Sequence, residues 1–162
     1  MPHLRKFNLV MKFEELLSRD GKIVYKTKGV SMEPMLRQDR DLVVIRSPSS
    51  RLRKYDVALY KRGDAYVLHR VIEVKPDHYI IRGDNTYSPE TVPDSAVIGV
   101  LTRFKRKGKD HAVTERGYRF YVRFWNVIYP LRAVRFRSRR AAVNIARKLG
   151  ILPVLRKLCG KK

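Results

Sequence analysis

Cysteine is almost absent: Cys159 is the only one in 162 residues. No disulfide can form within the chain, a usage that fits a reducing compartment. Long apolar runs are missing too. Nowhere do about 18 apolar residues follow one another, so no spanning helix is expected. The opening stretch, MPHLRKFNLVMKFEELL, lacks the apolar core of a secretory signal. The expected location is therefore cytoplasmic, either free or peripheral on the inner face of the cell membrane. There is no internal repeat and no low-complexity tract. Acid is scarce in one part only. Residues 1–100 carry 18 Lys/Arg against 13 Asp/Glu, whereas residues 101–162 carry 19 against 2.

What is present divides along the same line. The formal charge of +22 is concentrated at the back, and the hydrophobic fraction of 44% suffices for a folded front. The expected organisation is a β domain over 1–116 and a basic amphipathic helical extension over 117–162. Leu9, Val10, Phe13, Leu16 and Leu17 recur at helical spacing, and Gly21 ends that pattern. Strands are predicted at 22–27, 41–46, 56–61, 65–74, 78–82, 96–106 and 111–115. Arg62-Gly63-Asp64 and Lys107-Gly108-Lys109-Asp110 read as hairpin turns. After Gly117 the period becomes helical. A basic residue comes every three or four positions, Phe, Trp and Leu lie between, and Pro130 and Pro153 interrupt.

Three pieces of the β region stand out: SMEPM with Ser31, VLHRVI with His69, and IRGDN with Asp84. If Val74 opposes Tyr79 in a hairpin of 65–74 with 78–82, His69 comes opposite Asp84. Directly opposed side chains share one face about 5 Å apart, and a one-residue slip separates them. A histidine beside a carboxylate is the pair that activates a serine. Ser31 needs such a base, because a serine hydroxyl is otherwise a weak nucleophile. His69 is the best of four histidines: His3 lies in the N-terminal tail, and His78 and His111 sit at strand starts beside turns. The Ser31 backbone N–H is the expected oxyanion donor. Each residue alone has a plainer role: Ser31 as a helix cap, His69 as a half-buried strand residue, Asp84 as turn chemistry.

Together the pieces resemble the signal peptidase I / LexA-like serine peptidases. GVSMEPML is similar to the nucleophile box of that family, and YDVALY to the strand that follows it. LHRVI matches the box that carries a general-base lysine in bacterial signal peptidases and LexA-type enzymes. Histidine stands there in the archaeal and endoplasmic-reticulum type. RGDN matches the later Gly-Asp-Asn box. The boxes fall in the family's order across residues 26–101. SMxP alone is a weak motif, and in this sequence of boxes it is a strong one.

The resemblance implies a mainly β, signal-peptidase-like antiparallel fold. It implies Ser31 as nucleophile and His69 as general base, with Met32 and Pro34 shaping the nucleophile turn. Asp84 ranks first as the acid that orients His69. In the endoplasmic-reticulum type an acid a few residues further on has that role, which falls near Glu90, with Asp94 beyond. No metal and no cofactor are implied. The expected activity is a serine endopeptidase that cleaves a leader or precursor peptide. Two alternatives keep the fold: a catalytically inactive basic binding or regulatory protein, and a LexA-like self-cleaving regulator. For self-cleavage, the linker before Ser31 holds no Ala-Gly or Cys-Gly pair, and Cys159-Gly160 is at the far end. Beyond its peptide substrate, the expected partner is an anionic membrane surface bound through 117–162. Nucleic acid ranks below it, for want of any recognition signature.

Overall fold

The computed structural model describes residues 12–150. His3, Leu9, Val10, Pro153 and Cys159-Gly160 lie outside that range. Helix α1 runs Phe13–Asp20, and Gly21 closes it in the left-handed conformation at φ 66°. Eight strands follow: β1 (Lys22–Lys26), β2 (Leu42–Arg46), β3 (Val57–Arg62), β4 (Ala65–Val74), β5 (His78–Arg82), β6 (Glu90–Pro93), β7 (Val97–Arg106) and β8 (Lys109–Ala112). Helices α2 (Arg116–Val127) and α3 (Tyr129–Lys148) end the described chain. The protein is mainly β, with every strand pair antiparallel in one sheet of order β1-β2-β7-β3-β4-β5-β6. Strand β8 pairs with the C-terminal part of β7.

Two elements differ from the sequence expectation. β8 begins at Lys109 instead of His111, because the hairpin turn is only Lys107-Gly108, with φ 50° and 80°. Two central residues with positive φ make the tight turn whose twist matches the flanking strands. β6 was not expected at all. Its four residues, ETVP, end in a proline, which is tolerated because β6 is an edge strand.

The sheet's centre is β3. Val57, Ala58, Leu59 and Tyr60 are all buried, so both of its faces are covered. One face of β3–β6 carries a core of Ala58, Tyr60, Val71, Tyr79, Ile81 and Val92, joined by Leu52 from the preceding loop. The Tyr79 hydroxyl accepts the Leu52 N–H at 3.0 Å, which pins that loop over the core.

The chain divides into two compact units, one up to Phe120 and one from Tyr121. In the second, the break between helices falls at Ile128, and Pro130 sits in the first turn of α3, where no hydrogen-bonded N–H is needed. The Arg132 guanidinium lies 3.6 Å over the Trp125 ring, which also stacks on Tyr121 at 5.9 Å. These contacts fasten the end of α2 to the start of α3.

Candidate active site

Ser31 sits in a connection between β1 and β2 whose base is tied shut. The Thr27 N–H donates to the Asp41 carbonyl, and the Asp39 N–H to the Thr27 carbonyl. The Asp41 side chain is fully buried and accepts the Arg37 N–H at 2.9 Å and the Arg40 guanidinium at 2.6 Å. Burial opposes its charge, and these hydrogen bonds outweigh it and hold its pKa below the usual carboxylate range. Within the loop, residues 31–35 form turns, so Ser31 caps no helix. Met32, Met35 and Leu36 are buried and anchor the turn, while Ser31 and Pro34 are half-buried. The Glu33–Pro34 bond is cis.

The Gly83–Thr86 segment grips this turn from the other side. The Asn85 N–H donates to the Ser31 carbonyl at 2.7 Å, and Asn85 Nδ2 donates to the Val30 carbonyl at 3.2 Å. Gly83 is the point of closest approach. A Cβ there would stand 2.6 Å from the Ser31 carbonyl oxygen and 3.1 Å from His69 Cδ2. Only glycine lets the Ser31 main chain and the His69 ring flank one residue so closely. The Gly-Asp-Asn box therefore positions Ser31 through Gly83 and Asn85.

His69 lies on β4 opposite Ala58 of β3 and is buried. Its two ring edges meet different surroundings. Cδ2, next to Nε2, faces Gly83. Nδ1 lies 3.1 Å from the Tyr60 hydroxyl and 3.3 Å from Glu90 Oε1. Glu90 in turn accepts Arg62 at 2.9 Å. A proton on Nδ1 faces both a carboxylate and a hydroxyl, and in that tautomer the Nε2 lone pair is free to accept a proton. Burial is the largest influence on His69 and favours the neutral ring. The Glu90 charge opposes it, Arg62 reinforces it, Asp84 opposes it, and the net pKa falls below 6.5. Burial, helped by the Glu90 charge, also raises the Tyr60 phenol well above its ordinary range.

The expected pairing of His69 with Asp84 is corrected. Val74 does oppose Tyr79 and Glu73 opposes Ile80, but a bulge at Ile72 shifts the register, and Val71 opposes Ile81 and Arg70 opposes Arg82. The residue opposite His69 thus becomes Gly83, and Asp84 moves to the face of Arg70. The bulge keeps Val71 in the core while turning Glu73 to solvent. Asp84 accepts Arg70 through two hydrogen bonds of 2.7 Å each. Both side chains are buried, at 1% and 3% exposure. Arg70 also donates to the Tyr55 carbonyl, the Tyr118 hydroxyl and Met35 Sδ, the last of these inside the Ser31 turn. Burial opposes the Arg70 charge, and Asp84 with Tyr118 more than compensates, so its pKa rises above the ordinary guanidinium value.

Of the other two acids, Glu90 is at His69 and Asp94 is not brought to it. The Asp94 carboxylate is held by Arg51 at 2.9 Å. His78 pairs with Asp77, and His111 with Glu115. Neither Tyr60 nor Arg70 is a predicted site residue of the three boxes. The β3–β4 turn held a signal for Tyr60: a two-residue loop at Gly63-Asp64 sets Ala58 opposite His69 and Tyr60 beside it on the same face. Among the described residues, no group of three or more His, Cys, Asp or Glu side chains gathers closely enough to hold a metal ion. A scan against protein-family models finds none that matches, and a search of curated proteins finds no match.

Proposed function

We propose that this chain is a serine endopeptidase of signal-peptidase type, on a signal-peptidase-like β fold, that cleaves a leader or precursor peptide. The observation that carries the reading is the two-sided environment of His69, with Glu90 and Tyr60 at Nδ1 and the Ser31 turn beyond Gly83 on the opposite edge. A buried histidine whose proton is held on one nitrogen offers the other as a base.

In this mechanism Ser31 Oγ attacks the scissile carbonyl while His69 Nε2 takes its proton. Backbone N–H groups of the Ser31 turn hold the developing oxyanion. The imidazolium then gives its proton to the leaving amine, and an acyl ester remains on Ser31. Water, deprotonated by the neutral ring, hydrolyses that ester. Glu90 and Tyr60 are positioning residues, which keep the tautomer and stabilise the transient positive charge. The Arg70–Asp84 pair is architectural: it ties β4 and the Gly-Asp-Asn segment to Met35 of the nucleophile turn. Family resemblance adds an extended peptide bound by strand addition, with small residues before the cut.

The test is acylation by a fluorophosphonate and by a penem, read by intact mass, on wild type, Ser31→Ala and His69→Ala. An adduct on Ser31 that both substitutions abolish is expected. An adduct that survives Ser31→Ala, or no adduct from either probe on protein with an intact melting transition, overturns the proposal. Cleavage of leader-bearing precursors, with and without anionic lipid, then defines the substrate.

A further inference from the structure

The second unit presents a surface that peptide-bond chemistry does not use. Along α3 and its C-terminal cap, Leu131, Val134, Ser138, Ile145 and the capping Leu149 fall at i, i+3, i+7, i+14 and i+18, with Ala141 and Ala142 between. At about 100° per residue these positions form one stripe. The stripe faces solvent: Leu131 is 74% exposed, Val134 62%, Ile145 57% and Leu149 66%. Its one polar member, Ser138, turns its hydroxyl inward and donates to the Val134 carbonyl at 2.9 Å. That leaves the stripe without an outward polar demand.

Charge borders the stripe on both sides. Arg135 and Arg139 flank one edge, and Arg137 and Lys148 the other. In all, α3 holds seven Arg/Lys and no acid. Arg135 and Arg139 stand at i,i+4, a like-charge spacing that disfavours an isolated helix. An opposing negative surface relieves that repulsion. An exposed apolar stripe between two cationic margins is the pattern of a helix lying in a bilayer interface. Its apolar residues enter the acyl boundary, and its arginines reach back to the headgroups.

We infer that α3 is an interfacial helix that binds an anionic lipid bilayer. A second copy of the chain fits less well, since stacking two such helices opposes seven cations to seven. Nucleic acid would use the arginines and leave the apolar stripe without a role. This surface is independent of the serine chemistry, so Ser31→Ala binds vesicles as wild type does.

The experiment is flotation of the full chain with phosphatidylcholine vesicles, with and without phosphatidylglycerol. Binding is expected only with phosphatidylglycerol. Arg135→Gln/Arg139→Gln weakens it about 25-fold, at about fivefold per basic side chain near an anionic surface. Leu131→Gln/Ile145→Gln weakens it about 100-fold, at about tenfold for each large aliphatic side chain withdrawn, while helical circular dichroism is retained. Vesicle binding unchanged by the Leu131/Ile145 pair overturns the inference. So does tighter binding of duplex DNA than of vesicles, indifferent to that pair. So does a dimer in lipid-free solution that the pair dissolves.

Discussion

Amide-for-carboxylate exchange at Glu90 and at Asp84 separates two acids that lie close in sequence and hold different partners. Glu90→Gln keeps the shape and leaves His69 Nδ1 its Tyr60 contact at 3.1 Å. In a fully buried triad the same exchange costs about 10⁴ in rate. Here Glu90 is 27% exposed and shares its role with Tyr60. A slowing of Ser31 acylation by about 10² is therefore expected, within the range for a lost acid–base partner. The melting temperature should scarcely move, since the half-open Arg62–Glu90 pair contributes about 0–1 kcal/mol. The Glu90 charge works against burial in setting the His69 pKa, so its removal lowers that pKa further. The acid limb of the acylation–pH profile should move to lower pH. Asp84→Asn does the reverse. It strands the Arg70 charge at 1% exposure, a loss of about 3–5 kcal/mol. At about 2–4 °C per kcal/mol, the midpoint falls by about 6–20 °C. The assay is a mass-resolved time course of penem acylation, with thermal melts of the same preparations. An Asp84→Asn protein that melts like wild type but fails to acylate, beside a Glu90→Gln protein that acylates normally, would refute the assignment.

Two further predictions concern the same site. Gly83→Ala sets a methyl 2.6 Å from the Ser31 carbonyl; overpacking of this kind costs about 1–3 kcal/mol, and a shift approaching 1 Å at a reacting group costs about 10²-fold in rate. A Gly83→Ala protein with wild-type acylation and melting would mean that Ser31 is not seated against Gly83. The second is stability against pH. The folded pKa of His69 lies below its unfolded value of 6.5, so the unfolded chain takes up the proton first as pH falls. The His69 contribution to stability is therefore level above about 6.5 and declines as pH drops from there toward the folded pKa. Urea midpoints across that window should depend less steeply on pH in His69→Gln than in wild type, and equal slopes would contradict the burial of a neutral ring.

The front of the chain was legible because its patterns are local. The β-branched and aromatic residues of AYVLHRVIEV and HYIIR, with turn residues at Gly63-Asp64, mark strands whatever surrounds them. Gly21 ending α1 and Pro130 opening α3 are backbone preferences carried by single residues. The contrast between a balanced front and an acid-poor back is likewise a property of composition alone. The three boxes marked the serine, histidine and Gly-Asp-Asn segment that the fold brings together. What those marks could not supply was register. A bulge of one residue at Ile72 is invisible to a count along two strands, yet it exchanges the faces of everything beyond it. Whether His69 meets Asp84 or Glu90 hangs on that residue. The deciding energy is non-local: Arg70 is buried between β4, Tyr55, Tyr118 and Met35, and it needs a carboxylate there. Glu90 reaches His69 from a four-residue edge strand too short to carry a period. Sequence thus determined α1, most of the strands and the Gly63-Asp64 turn, because each follows from neighbours in the chain. The tertiary structure decided which acid lies beside His69 and which beside Arg70, because desolvation and pairing of buried charges depend on residues far apart along the chain.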